Sequence, residues 1–186
     1  MRSANAHDND NYYRPGAVWN DVLIITTGGE ALVHDKAVAG YGRLHALNAC
    51  ATTEKDRVHW IVDVPSNSGG GYSLGAPTVT GGIVFIGTDR DPVDHKGHLV
   101  VLGDPSVVAP TGSLRCSNVD YPPFNRFLRD QPCERAGFKF VPIPTVLANV
   151  PMPDGGNIAG LRNEPALANG AVFVGTLNGH VYMLAP

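Results

Sequence analysis

The chain has 186 residues, a formal net charge of -3 and only 17% charged residues. That length suffices for one domain with a real core, the charge gives no basic field to attract nucleic acid, and no apolar run approaches membrane-spanning length. Its 22 glycines and 15 prolines suit many short strands joined by tight turns, and suit long helices poorly.

Residues 1–11 form a polar tail without the apolar stretch of a signal peptide. The chain is therefore expected either to stay in the cytoplasm or to have a leader outside this sequence. From residue 12 onward one pattern recurs. Its loosest copy runs from Pro15 through Val22-Leu23-Ile24-Ile25 to Thr27, then from Gly42-Arg43-Leu44-His45-Ala46-Leu47 to Asn48. A further strand is expected at Val58–Val64, stopped by Pro65. It places His59, Ile61 and Asp63 on one face, and Val58, Trp60, Val62 and Val64 on the other. A glycine-rich stretch, Ser66–Ser73, follows.

The second copy begins at Ala76-Pro77-Thr78-Val79-Thr80, turns at Gly81-Gly82 and continues as Ile83-Val84-Phe85-Ile86-Gly87-Thr88. It resumes at Gly97-His98-Leu99-Val100-Val101-Leu102. The segment 118–163 does not repeat. Pro122, Pro123, Pro132, Pro142, Pro144, Pro151 and Pro153 exclude helix and central strand there. It is expected to be an irregular excursion packed across one end of the molecule. The third copy, the cleanest, reads Ala166-Leu167-Ala168, an Asn169-Gly170 turn, Ala171–Gly175, a Leu177-Asn178-Gly179 turn and His180–Leu184. Asn-Gly is the dipeptide a type I′ hairpin turn prefers, since both central residues need positive φ.

The second strand of each copy is apolar without interruption: Val-Leu-Ile-Ile, Ile-Val-Phe-Ile and Ala-Val-Phe-Val. Such a run implies a strand covered on both faces, which an isolated meander cannot supply. Sheets stacked radially supply it. A two-sheet sandwich would explain the strands but not their repetition. Gly87 and Gly175 fit close backbone approach between neighbouring sheets, or equally a bulge. The loop after the second strand varies in length among copies, which puts insertions on one face of the array, often the binding face.

These residues resemble the pyrroloquinoline-quinone-like (PQQ-like, quinoprotein) β-propeller repeats. The match lies in Gly175-Thr176-Leu177-Asn178-Gly179-His180-Val181-Tyr182-Met183-Leu184 and in Gly42–Asn48 through Trp60. In the second copy Asp104 and Thr111-Gly112 fit, but Cys116 stands where the family has a tryptophan. The resemblance implies an all-β fold, a partial β-propeller of about three to four four-stranded antiparallel blades. They lie near 15–64, 76–117 and 164–186, with a long Pro-rich loop between the last two. It gives Trp60, Gly87, Gly175, Asn178 and Gly179 structural roles. A propeller needs at least about four blades to close, so further blades are expected from a longer chain or from other copies. Without them the terminal blades would bare apolar faces. Family likeness also points to the periplasm or the cell exterior.

Two functions fit. One is a binding or scaffold module, with a possible protein partner. The other is part of a PQQ-dependent dehydrogenase that oxidises an alcohol or sugar, with its catalytic blades elsewhere. The dehydrogenases of the family use adjacent cysteines, a calcium held by Glu, Asn and Asp, and a catalytic Asp. No Cys-Cys pair occurs in this sequence, and no calcium triad maps onto it residue by residue. No catalytic or metal-ligating residue is therefore assigned, and PQQ and calcium belong to the dehydrogenase reading alone.

Other groups have a sharper and a plainer reading. Asp89, Asp91, Asp94, His95 and His98 could hold a divalent metal, or form a solvated polar loop. His34, His45 and His59 could include a general base, but His45 and His180 sit at near-equivalent positions, which suggests a repeated structural role. Ser66–Ser73 lacks the following helix of a phosphate cradle and reads as a connection. Trp19 and Trp60 could stack on a planar cofactor, or pack between sheets. Cys116 and Cys133 could pair in an oxidising compartment, or stand with Cys50 as unrelated thiols.

Overall fold

The computed structural model describes residues 15–27, 31–33, 36–38, 43–52, 57–64, 74–88, 94–104, 115–118, 131–132, 140–142, 144–156, 158 and 164–185. Every regular element among them is a β-strand. The first copy of the pattern gives β1 (Ala17–Trp19), β2 (Val22–Thr27), β5 (Arg43–Asn48) and β6 (Val58–Asp63), an antiparallel sheet in the order β1-β2-β5-β6. Between β2 and β5 a small hairpin is inserted, β3 (Ala31–Val33) with β4 (Lys36–Val38). The second copy gives β7 (Thr78–Thr80), β8 (Ile83–Gly87) and β9 (His98–Gly103), and the third gives β14 (Ala166–Ala168), β15 (Ala171–Gly175) and β16 (Val181–Leu184). The turns form as their residues dictate. Gly81 and Gly82 have φ of 53° and 75°, Asn169 and Gly170 of 50° and 76°, the paired positive values of a type I′ turn.

The three sheets stack in sequence order, with the second in the middle. Ile24, Leu44, Ala46, Trp60 and Val64 of the first sheet and its flank share one core with Leu74, Val84, Ile86, Val100 and Leu102 of the second. A separate core joins Leu99, Phe85, Val101, Val150, Met152 and Ile158 to Val172, Val174, Tyr182 and Leu184 of the third. Alternate residues of β8 and β9 thus serve opposite neighbours. This is the physical reason for the unbroken apolar run: each side chain buried this way contributes about 1.5–3 kcal/mol, and both faces have a partner.

The repeat also fixes which residues face forward, toward the next sheet. Leu44 after Gly42, Leu99 after Gly97 and Val181 after Gly179 are equivalent. Leu44 is 0% exposed, Leu99 1% and Val181 74%. The forward face of the third sheet carries Ala166, Ala168, Ala171, Phe173, Gly175, Val181 and Met183; Ala171 is buried there, whereas Val181 and Met183 are exposed.

Parts of the segment 118–163 form strands despite its prolines. The last strand of the second sheet is β13 (Thr145–Pro151), which pairs antiparallel with β9 and completes the order β13-β9-β8-β7. It stands at the sheet edge, bulged between Val146 and Ala148, and its prolines lie at or beside its ends, where an edge strand tolerates them. The Arg115–Asn118 stretch, expected to close the second sheet, is instead β10. It lies between β11 (Gln131–Pro132) and β12 (Phe140–Pro142) in a separate three-stranded sheet. The second sheet therefore does not end near residue 117. The third sheet has three strands, not four, among the described residues.

Candidate functional site

Three short edge strands meet along one side of the stack. Gly16–Val18, Pro77–Thr80 and Glu164–Leu167 line an open groove of about 550 Å³. Each contribution is the opening strand of its sheet, and the Thr78 hydroxyl donates to the Pro165 carbonyl to tie the second sheet to the third. Glu164 is the charged residue among those lining the groove, and it is exposed. Such a groove can hold a ligand through backbone groups, threonine hydroxyls and one carboxylate.

Outside the groove, polar clusters join the sheets. The Trp60 indole N–H donates to Asp104 Oδ2 at 2.9 Å. Both residues are buried. A tryptophan on the last strand of the first sheet thereby docks on the residue that follows β9 in the second, and the buried carboxylate gains a donor it needs away from water. Trp60 packs between two sheets, and Trp19 in β1 is half-buried.

His98 is buried, and both ring nitrogens are engaged: Nε2 with Asp94 Oδ2 at 2.9 Å and Nδ1 with Asn149 Oδ1 at 2.8 Å. Its backbone N–H donates to Thr88 Oγ1 at 3.0 Å. Neither nitrogen is left for a substrate or a metal. Partial burial pushes the Asp94 carboxyl up, but the Lys96 N–H, the His98 charge and hydrogen bond, and the Lys96 charge together hold it below the ordinary carboxylate range.

The third sheet has a related arrangement, with an acceptor from another element. Asp154, in the turn after β13, accepts from Thr176 Oγ1 at 2.9 Å and from the Gly156 N–H at 2.8 Å. Its Oδ2 also pairs with His180 Nδ1 at 2.7 Å. Asn178 Nδ2 donates to the Asp154 carbonyl at 3.2 Å. Desolvation opposes ionisation of Asp154, but the His180 bond, the Gly156 and Thr176 donors and the His180 charge overcome it and lower the carboxyl to about 2. Tyr182 is pushed up, first by desolvation and then by the nearby Asp154 charge. Asp154 is thus a latch: it leaves the second sheet and fastens the hairpin of the third.

The residues singled out from sequence disperse. Asp94 and His98 meet each other, whereas His95 is exposed at φ 58°, and Asp89 and Asp91 lie outside the described residues, as do His34, Ser66–Ser73, Thr111-Gly112 and Cys133. Among the described residues no three His, Cys, Asp or Glu side chains gather to hold a metal. His45 is half-buried in β5 and His59 exposed in β6. The equivalence of His45 and His180 does not hold, because His180 follows Gly179 as His98 follows Gly97. The repeated histidine is therefore His98. Cys50 is an exposed free thiol, and Cys116 lies in β10.

Gly87 and Gly175, equivalent in the repeat, differ in surroundings. A Cβ on Gly87 would collide with the Ile158 side chain, whereas one on Gly175 would meet nothing within 4 Å. Gly179 holds φ 86° in the hairpin turn beside Asn178. Sequence reasoning missed Asp154 and Asn149, both in the proline-dense segment. The available signal was the recurring Thr-and-His pair, Thr88 with His98 and Thr176 with His180, which calls for a carboxylate or amide partner each time.

The chain matches no protein-family model and no curated protein. Among the described residues no helix is long and apolar enough to cross a membrane.

Proposed function

We propose that the chain is a segment of a PQQ-like β-propeller that works as a binding or scaffold module. The observation that carries this reading is the second sheet, clamped on both faces while the opening strands of all three sheets meet on one groove. Radial blades around an axis would pack in this way, which supports the reading. The polar clusters support a module without chemistry of its own: the His98 ring is held at both nitrogens within the fold, and Asp154 is spent on joining sheets. The groove is the binding surface, suited to a ligand or peptide that offers hydrogen-bond donors to backbone carbonyls and to Glu164. Further blades from other copies or a longer chain would extend the array, and the reading puts the protein in the periplasm or outside the cell.

The test is a titration with PQQ and calcium, followed by a dye-reduction assay with alcohols and sugars. The expected result is no change in quinone absorbance and no dye reduction. A calcium-dependent spectral shift with substrate-dependent dye reduction would move the chain to the dehydrogenase reading.

A further inference from the structure

The hairpins that open the three sheets turn on Asn20-Asp21, Gly81-Gly82 and Asn169-Gly170, and the hairpin between β15 and β16 turns on Asn178-Gly179. Asparagine followed by glycine is a chemically reactive pair, because the glycine nitrogen can reach the asparagine amide carbon and no side chain shields it. The two Asn-Gly pairs of this chain are held very differently. At Asn178 the amide Nδ2 donates to the Asp154 carbonyl at 3.2 Å, and the Gly179 N–H donates to the Thr176 carbonyl at 3.0 Å. Both groups that would react are engaged, and the Asp154 latch holds the loop around them through Thr176 and His180. At Asn169 neither the amide nor the Gly170 N–H has a hydrogen-bond partner among the described residues. Both residues are exposed, and Asn169 is kept at φ 50° by the turn alone. The adjoining β14 is a three-residue strand at the sheet edge, the kind of element that opens first.

We infer that Asn169-Gly170 is a site of spontaneous deamidation in the folded chain, and that the latch protects Asn178-Gly179 from the same reaction. When the hairpin opens, the Gly170 nitrogen gives its proton to hydroxide and attacks Asn169 Cγ. The N–Cγ bond forms, the Cγ–Nδ2 bond breaks and ammonia leaves, closing a cyclic imide. Water then opens the ring at either carbonyl, and nothing is oxidised or reduced. Opening at Cγ leaves aspartate. Opening at the main-chain carbonyl leaves isoaspartate, whose backbone runs through Cβ and Cγ and is longer by one carbon. A lengthened backbone cannot keep the paired positive φ values of the turn, so β14 loses its register on β15. Because β14 brings Ala166 and Leu167 to the groove, the modification acts on the groove wall. The chemistry depends on the hairpins and not on the propeller reading.

The experiment is peptide mapping of the full chain by mass spectrometry after incubation in mildly alkaline buffer, with a parallel sample in urea and isoaspartate separated from aspartate by chromatography. In native buffer the Asn169 peptide is expected to convert about tenfold faster than the Asn178 peptide, since two hydrogen bonds guard only the latter. In urea, where neither pair is held, the two rates should converge. Asn169→Gly, which gives the third sheet the Gly-Gly turn of the second, should abolish the early conversion and keep the melting temperature. Asp154→Ala should speed Asn178 toward its urea rate while Asn169 is unchanged and the Trp60 indole stays buried. An Asn169 that converts in urea but stays intact in native buffer would overturn the site. Equal native rates at the two pairs, or an Asn178 rate unmoved by Asp154→Ala, would overturn the protection by the latch.

Discussion

The second and third sheets are built from nearly the same strands and meet different fates. Ile83–Gly87 and Ala171–Gly175 are both continuous apolar strands entered through a type I′ turn. In the second sheet both faces are packed, and Leu99 is 1% exposed; in the third one face is packed, and Val181 is 74% exposed. The difference lies in the neighbours and not in the strands. An apolar strand in this chain specifies a need for two partners, and the fold meets that need in the middle and defers it at the end.

Substitutions at equivalent positions should expose this contrast. The largest loss is expected at the junction of the first and second sheets. Trp60→Ala removes a buried aromatic and the indole donor to Asp104, and should cost about 3–5 kcal/mol, measured by urea denaturation. Trp60→Phe, which keeps a ring but drops the donor, should cost about 1–3 kcal/mol.

Next comes the paired test of Leu99→Ala and Val181→Ala. The first should destabilise by about 2–4 kcal/mol, whereas the second should stay within about 0.5 kcal/mol in the monomer. Equal losses at both would break the comparison. A glycine pair sharpens it further. Gly87→Ala forces a Cβ to within 2.7 Å of the Ile158 Cβ, and should cost about 1–3 kcal/mol by overpacking, while Gly175→Ala should be close to neutral in thermal melts.

The smallest effect concerns the latch. Asp154 is lowered from 3.8 to about 2 in the folded chain, so as the pH falls the unfolded chain takes up its proton first. The stabilisation it provides is complete above the unfolded value and fades as the pH drops from about 4 toward 2. Asp154→Asn should flatten that acid limb in urea midpoints collected across the same range. An unchanged limb would remove Asp154 from the contacts that hold the third sheet.

Much of the stack was legible in the residues because it follows from local pattern. The unbroken run at Ile83–Ile86 demanded two covered faces, Gly81-Gly82 and Asn169-Gly170 demanded tight hairpins, and Trp60 on the inner side of an alternating strand demanded a neighbour. What escaped depends on distant pairing. Thr145–Pro151 is framed by prolines that argue against a central strand, and only its place beside β9 shows that an edge is what the sheet needed. The Asp154 latch escaped because its partners, Thr176 and His180, come from another sheet, and a lone aspartate in a proline-dense stretch carries no periodic signal. For His98 the sequence left a metal ligand and a solvated loop both open, and neither describes it: the buried ring is held at both nitrogens, by Asp94 and Asn149.

The route from β9 to β13 has a consequence for how the chain folds and changes. β7 and β8 close on one another through the Gly81-Gly82 turn and β9 joins them after residues 88–97, but the strand that finishes their sheet returns only after the whole excursion that contains β10–β12. Local ladders form ahead of long-range ones, so β13 should be the late arrival, with Met152 and Asp154 following it into place. Because each doubling of such a loop adds only about 0.6 kcal/mol of closure cost, the connections of this excursion are where the chain can be lengthened at little expense to the sheets, provided β10 and β12 keep their contacts with β6.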